Sequence, residues 1–204
     1  METSSRKQSF SQALSIAIPE ADGLTGAWAR VPGAVVPFPE PHDTPPSVHP
    51  TAIVAKGAEL HPGVIVGPFS YIGPRVKLGA GTQVGLHSII EGRTTIGTRC
   101  QVHHGAVIGN IPQDLKYRGA PTEVEIGNDT VVREYATIHA ATEEGESTIV
   151  GNNVLLMAYT HIAHNCRIGN HVILANTVNL GGHVRIDDFA IIGGGTPVHQ
   201  FVTI

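Results

Sequence analysis

Residues 153–192, NVLLMAYTHIAHNCRIGNHVILANTVNLGGHVRIDDFAII, place an aliphatic side chain at every sixth position: Leu156, Ile162, Ile168, Leu174, Leu180, Ile186 and Ile192. A 3.6-residue helix does not generate a period of six, and a two-residue strand alternation accounts for it only locally. Working outward, the register runs back through Val150, Ile138, Val132 and Ile126. Beyond an interruption it resumes at Ile108, Val102, Ile96, Ile90, Val84, Leu78, Ile72, Val66, Leu60, Val54 and Val48, and it runs forward to Val198 and Ile204. Only Asp114, Ala120 and Glu144 depart from it. A fixed short period marks a solenoid, in which each repeat buries its apolar side chain only against its neighbours. The expected fold is therefore all-β: a parallel β-helix in which each hexad is a short strand plus a corner. Three hexads close a triangular coil, and residues 18 apart stack at about 4.8 Å. Gly after the aliphatic residue, as at Gly67, Gly79 and Gly127, is expected to permit the bend. The period does not set the hand of the coil, for which right-handed crossovers are the general rule.

Two segments leave the register. Asn110–Glu123, NIPQDLKYRGAPTE, loses the aliphatic positions and gains charge, and reads as a loop over residues 110–123. Glu143–Ser147, EEGES, is a shorter polar break. Loops held on a rigid scaffold are where function concentrates, although a solvated insertion explains the same composition. Residues 1–46 carry no repeat, are rich in Ser and Pro, and end in PFPEPHDTPP, so they read as a disordered leader or linker preceding the repeats of 47–204. The apolar stretch Ala13–Ile18 is too short for a secretory signal. Arg6, Lys7 and nearby serines suit an organellar transit peptide, whereas Glu2, Glu20 and Asp22 argue against one.

Composition narrows the function classes. A formal charge of −4 offers no footprint for nucleic acid or an anionic membrane. No apolar run approaches the roughly 18 residues of a membrane-spanning helix. Cys100 and Cys166 are the only cysteines, which is no disulfide framework and points to a reducing compartment. Histidine stands out, with twelve in the chain. In the 18-residue coil Ile162, Leu180 and Val198 form one column, which brings His161 and His164, then Gly182 and His183, then His199 and Gln200, onto one side of three successive coils. Three readings stay open from the residues alone. These are unrelated corner histidines, a metal site shared between subunits as in the gamma-class carbonic anhydrases, or one imidazole acting as a general base. The GHxxxxHG pattern typical of the metal-binding class is absent around His161 and His164.

The ordered set IPQDLKYRGAPTEVEIG, VVREYATIH, NVLLMAYTHIAHNCRIGN, ILANTVNLGGHV, IDDFAIIGG and VHQF closely resembles the UDP-N-acetylglucosamine acyltransferase family, whose members open lipid A synthesis. The likeness covers Ser47–Ile204 and is far more specific than the hexads. It implies a left-handed parallel β-helix and a homotrimer with active sites between subunits. It also implies acyl transfer from acyl carrier protein to the 3-hydroxyl of UDP-N-acetylglucosamine, with no cofactor, in the cytoplasm or in an organelle if the leader is a transit peptide. Carried over by residue, His164 matches the catalytic base and Gly182 the position whose N–H faces the oxyanion. Asp114 and Lys116 match sugar-binding positions, with Gln113 beside them. His183 and Gln200 match substrate contacts, while His139, His161 and His199 match positions lining the cleft. Two departures follow. Asn165 stands after the base where better-known members have Asp, and the sequence stops at Ile204 inside a repeat, without the further coils and C-terminal helical domain of the family. A neighbouring N-acyltransferase family shares the hexads and a catalytic His, but normally adds an N-terminal globular domain and lacks QDLKY. A catalytically idle β-helix that assembles with other subunits is the reading from a different class.

Overall fold

The computed structural model describes residues 44–204, so the expected leader lies, up to residue 43, outside the described residues. From Ser47 onward the chain winds as a three-faced parallel coil, with 23 short strands among the described residues. The first sheet has eight strands, from Ser47–Val48 to Ile191–Ile192, and the second eight, from Ile53–Val54 to Pro197–Val198. The third has seven, from Glu59–Leu60 to Arg185–Ile186. Successive coils pair in parallel register, Ile162 with Leu180 and Leu180 with Val198. Most strands hold two residues, and the second is the aliphatic one. Ile72, Leu78, Ile90, Leu156, Ile162 and Leu174 are fully buried, each contributing about 1.5–3 kcal/mol by leaving water.

The axis carries a second inward position, two residues before each aliphatic one, that the aliphatic scan passes over. It is filled by Val64, Ser70, Val76, Thr82, Ser88, Cys100, Ala106, Thr130, Val172 and Val178, all buried. Several of its hydroxyls avoid a desolvation cost by donating to main-chain carbonyls of the next coil, whereas the buried Thr160 hydroxyl has no partner among the described residues. Ser70 bonds Gly85 O at 2.6 Å, Thr82 bonds Gly97 O at 2.8 Å, and Thr130 bonds Gly151 O at 2.9 Å.

The corners also differ from expectation. The glycine after the aliphatic residue does not make the bend, since none of Gly67, Gly79 and Gly127 has positive φ. It is kept for close coil contact: a Cβ on Gly79 would lie 2.5 Å from Gly97 C, and one on Gly127 2.7 Å from Gly151 C. The left-handed backbone falls instead on the third corner residue, often a non-glycine such as Tyr135 (φ 57°), Asn165 (φ 61°) or His183 (φ 61°).

Polar side chains knit one corner, between the third and first sheets, into a ladder. Asn128 Oδ1 accepts from Thr98 N at 2.8 Å, and Asn152 Oδ1 from Asn128 N at 2.8 Å. Asn170 Oδ1 accepts from Asn152 N at 2.9 Å, and Asp188 Oδ1 from Asn170 N at 2.7 Å. The offsets along it are 30, 24 and 18 residues. All are multiples of six, which is why the hexad register survives both breaks. Those breaks resolve into excursions over residues 111–122 and 140–146, with Asn110 and Glu123 already in strands. Both leave the corner between the second and third sheets, the one that lower coils build from His164, Gly182 and Gln200.

Candidate active site

His164 is the second residue of its corner, set by the strand His161–Ile162 before it and the buried Cys166 after it. Its imidazole packs over Gly182 of the next coil, where a Cβ would press into the ring at Cε1 and Nε2. Glycine is the one residue that leaves room for the ring. The Gly182 carbonyl accepts from Phe201 N at 3.1 Å, whereas its N–H has no acceptor among the described residues. His183 meets His164 edge-on at 5.2 Å between ring centroids and stacks on Phe201 at 4.7 Å.

The excursion over 111–122 brings a carboxylate to the other side of the ring. Asp114 Oδ2 lies 3.9 Å from His164 Nε2, too far for a direct hydrogen bond, and the gap suits an intervening hydroxyl. Asp114 is held by its own turn, accepting from Lys116 N through Oδ1 at 2.8 Å and from Tyr117 N through its carbonyl at 3.0 Å. His164 Nδ1 faces Asn165 Oδ1 at 2.9 Å. That oxygen also accepts from the Thr142 main-chain N at 3.2 Å and the Thr142 hydroxyl at 3.0 Å, while Asn165 Nδ2 donates to the Glu146 carboxylate.

A cleft of about 330 Å³ opens beside His164, lined by Gln113, His139, His161, Ala163, His164, Asn179, Leu180 and Gly181. The two other histidines of the cleft are shifted in the same direction. Burial, with His161 and His164 as neighbours, pushes His139 down to about 4, and burial and His164 push His161 down as well. His161 Nδ1 shares a 2.7 Å hydrogen bond with the Thr137 hydroxyl, and its ring meets His139 edge-on at 4.9 Å. Both are neutral near pH 7 and serve as uncharged walls. Neither cysteine suits a nucleophile, because burial pushes Cys100 and Cys166 up to about 11. Among the described residues no three His, Cys, Asp or Glu side chains group so as to hold a metal ion.

Of the residues expected from sequence, the structure brings Gln113, Asp114, His139, His161, His164, Gly182 and His183 together. It does not bring the Lys116 ammonium, His199 or Gln200 into the cleft. Lys116 is exposed and meets Asp114 only through its main-chain N–H. His199 is exposed and its ring faces the Gln200 carbonyl at 3.1 Å. Gln200 stacks by its backbone over Gly181, whose added Cβ would lie 2.8 Å from Gln200 N. Thr142 and Glu146 were missed, and their one sequence signal was the polar break Glu143–Ser147 at the same corner as the longer one.

Comparison with known proteins agrees with this fold. A family model for the bacterial transferase hexapeptide, comprising six repeats, matches residues 147–182. An acyl-[acyl-carrier-protein]–UDP-N-acetylglucosamine O-acyltransferase of Thermodesulfovibrio yellowstonii is 49% identical over 95 residues, covering 47% of this chain and 37% of that protein. The solved UDP-N-acetylglucosamine acyltransferase from Campylobacter jejuni is 40% identical, with a TM-score of 0.74 over 77% of this chain and 62% of that one. The corresponding enzyme structure from Bacteroides fragilis is 32% identical, with a TM-score of 0.59 over 84% of this chain and 67% of that one. The chain thus spans little more than a third of the curated relative and about two thirds of the solved structures. With the three-faced hexapeptide coil and the His164 corner in place, the chain belongs to the UDP-N-acetylglucosamine acyltransferase family.

Proposed function

We propose that the protein transfers an acyl chain, of the 3-hydroxyacyl type, from acyl carrier protein to the 3-hydroxyl of UDP-N-acetylglucosamine, the first step of lipid A synthesis, with His164 as general base. The observation that carries the proposal is the His164 corner: an imidazole between an amide oxygen at Nδ1 and a carboxylate 3.9 Å from Nε2, over a glycine with an open N–H. Nε2 takes the proton of the sugar hydroxyl as its oxygen attacks the thioester carbonyl. The tetrahedral oxyanion receives a hydrogen bond from Gly182 N–H, where one such donor is worth roughly 3 kcal/mol. Collapse breaks the C–S bond, and the carrier's thiolate leaves with the proton held by the imidazolium. The products are an ester and a free thiol, with no covalent enzyme intermediate. Asp114 and Gln113 receive neighbouring sugar hydroxyls, Lys116 meets an anionic or polar group of the nucleotide sugar, and His139, His161 and His183 shape the cleft. His199 and Gln200 reach substrate in a homotrimer, whose subunit boundary completes the site. Both substrates are water-soluble, which suits the cytoplasm or the equivalent organellar compartment.

The test is incubation of the purified protein with an acyl carrier protein thioester and UDP-N-acetylglucosamine. A nucleotide sugar acylated at the 3-oxygen, with stoichiometric release of carrier thiol, is expected. Carrier thiol released without acylated sugar would make the chain a thioesterase, no thiol release at all would make it an idle β-helix, and either would remove the proposal.

A further inference from the structure

Asn165 poses a chemical problem, because an amide has a donor end and an acceptor end, and only one of them orients an imidazole usefully. If its NH₂ faced His164 Nδ1, that nitrogen would have to be the acceptor. The proton would then sit on Nε2, the atom that must receive one. The surrounding groups remove this choice. A main-chain N–H can only donate, and Thr142 N points at Asn165 Oδ1 at 3.2 Å. An amide NH₂ can only donate, and Asn165 Nδ2 donates a hydrogen bond to the Glu146 carboxylate. Both partners come from the 140–146 excursion, whose backbone is itself tied down: Glu146 N donates to Glu143 O at 3.0 Å, and Glu123 N donates to Glu146 O at 3.0 Å.

We infer that Glu146 is a positioning residue, which locks the Asn165 amide with its oxygen toward His164 and so holds the proton on Nδ1 and the lone pair on Nε2. The inference rests on His164 being the base, and it assigns a task to the shorter polar break. An aspartate next to the base needs no such partner, since both its oxygens accept. With asparagine, the carboxylate sits one hydrogen bond further out and acts through the amide. This also means that Asn165→Asp alone sets two carboxylates against each other, so the informative exchange is the pair.

The experiment reads the tautomer directly. In protein labelled with ¹⁵N-histidine, long-range ¹H–¹⁵N correlation spectra report which ring nitrogen of neutral His164 carries the proton, the signal being assigned by its loss in His164→Gln. The native protein is expected in the Nδ1–H form. Glu146→Ala should shift His164 toward a mixture and lower kcat about tenfold at unchanged KM, well short of the roughly 10⁴-fold cost of a fully wrong tautomer. The double variant Glu146→Ala/Asn165→Asp should restore the Nδ1–H form and most of the turnover. A native His164 in the Nε2–H form, or a tautomer untouched by Glu146→Ala, would overturn the inference. Should His164→Ala retain normal activity while Glu146→Ala still moves the tautomer, it is the catalytic reading that fails and the positioning role that stands.

Discussion

Two corners of the same coil put equivalent positions to opposite uses. At the corner between the third and first sheets, Asn128, Asn152, Asn170 and Asp188 turn their side-chain oxygens onto the main-chain N–H of the coil before. Those four side-chain oxygens are consumed by the scaffold. At the corner between the second and third sheets, the same position holds His164, then Gly182, then Gln200. None of these three residues bonds the main chain of the coil before through a side chain, and the His164 ring faces Asn165, Asp114 and the cleft instead. A solenoid repeats its backbone, so chemistry has to be introduced by interrupting the repeat of side chains. Both excursions, 111–122 and 140–146, leave from the corner where the ladder is missing.

The contrast predicts separable effects. The largest falls on Gly182→Ala, whose Cβ would displace the His164 ring: acyl transfer should fall about 10²-fold or more with the melting temperature within a degree or two of native. An active variant would show that the ring has another seat. At the ladder, Asn152→Ala removes an acceptor for Asn128 N and a donor to Asn170 Oδ1. It should cost about 1–2 kcal/mol, or roughly 2–6 °C in thermal unfolding, with kcat unchanged. Loss of activity without loss of stability there would erase the distinction between the corners. Lys116→Ala should raise KM for the nucleotide sugar about tenfold at constant kcat, the value of one charge-assisted contact. A collapsed kcat at native KM would place the ammonium in the chemistry instead.

The smallest effect concerns pH. His139 is held down to about 4 in the folded protein, below its ordinary value of 6.5. Between those values the unfolded chain binds the extra proton, so stability should decline as pH falls from about 6.5 toward 4, and be regained above 6.5. His161, also pushed down by burial, acts in the same direction. Denaturant unfolding at pH 5 and pH 7.5 should show the decline, and His139→Gln should flatten it. An unchanged slope in that variant would mean that the ring is not held neutral by its surroundings.

Sequence reading reached the coil because one inward position is chemically uniform: Ile162, Leu180 and Val198 differ only in aliphatic shape. It passed over the second inward position because Ser70, Thr82, Cys100, Ala106 and Val172 share size, not polarity, and their hydroxyls become acceptable only through carbonyls 15 residues on. It assigned the bend to Gly79 and its like, whereas the left-handed residues include Tyr135 and His183, side chains that give no such cue. The meeting of His164 with Gly182 and His183 was legible, since an offset of 18 converts directly into stacking. Glu146 was not, because an excursion has no period from which to place it. The open position of Lys116 was hidden for the same reason: where a loop side chain points depends on contacts such as Lys116 N to Asp114 Oδ1, not on spacing.

The proposed role of His164, moving the proton while the rest of its corner holds the ring in place, is exposed most directly at the chemical step. Rapid-quench measurement of a single turnover, with enzyme in excess of UDP-N-acetylglucosamine and saturating acyl carrier protein thioester, compares the native protein with His164→Ala at that step. In His164→Ala the rate of ester formation is expected to be lower by about 10² to 10⁴-fold, with unchanged thermal unfolding and unchanged substrate saturation. Ester formation at the native rate in His164→Ala would contradict it.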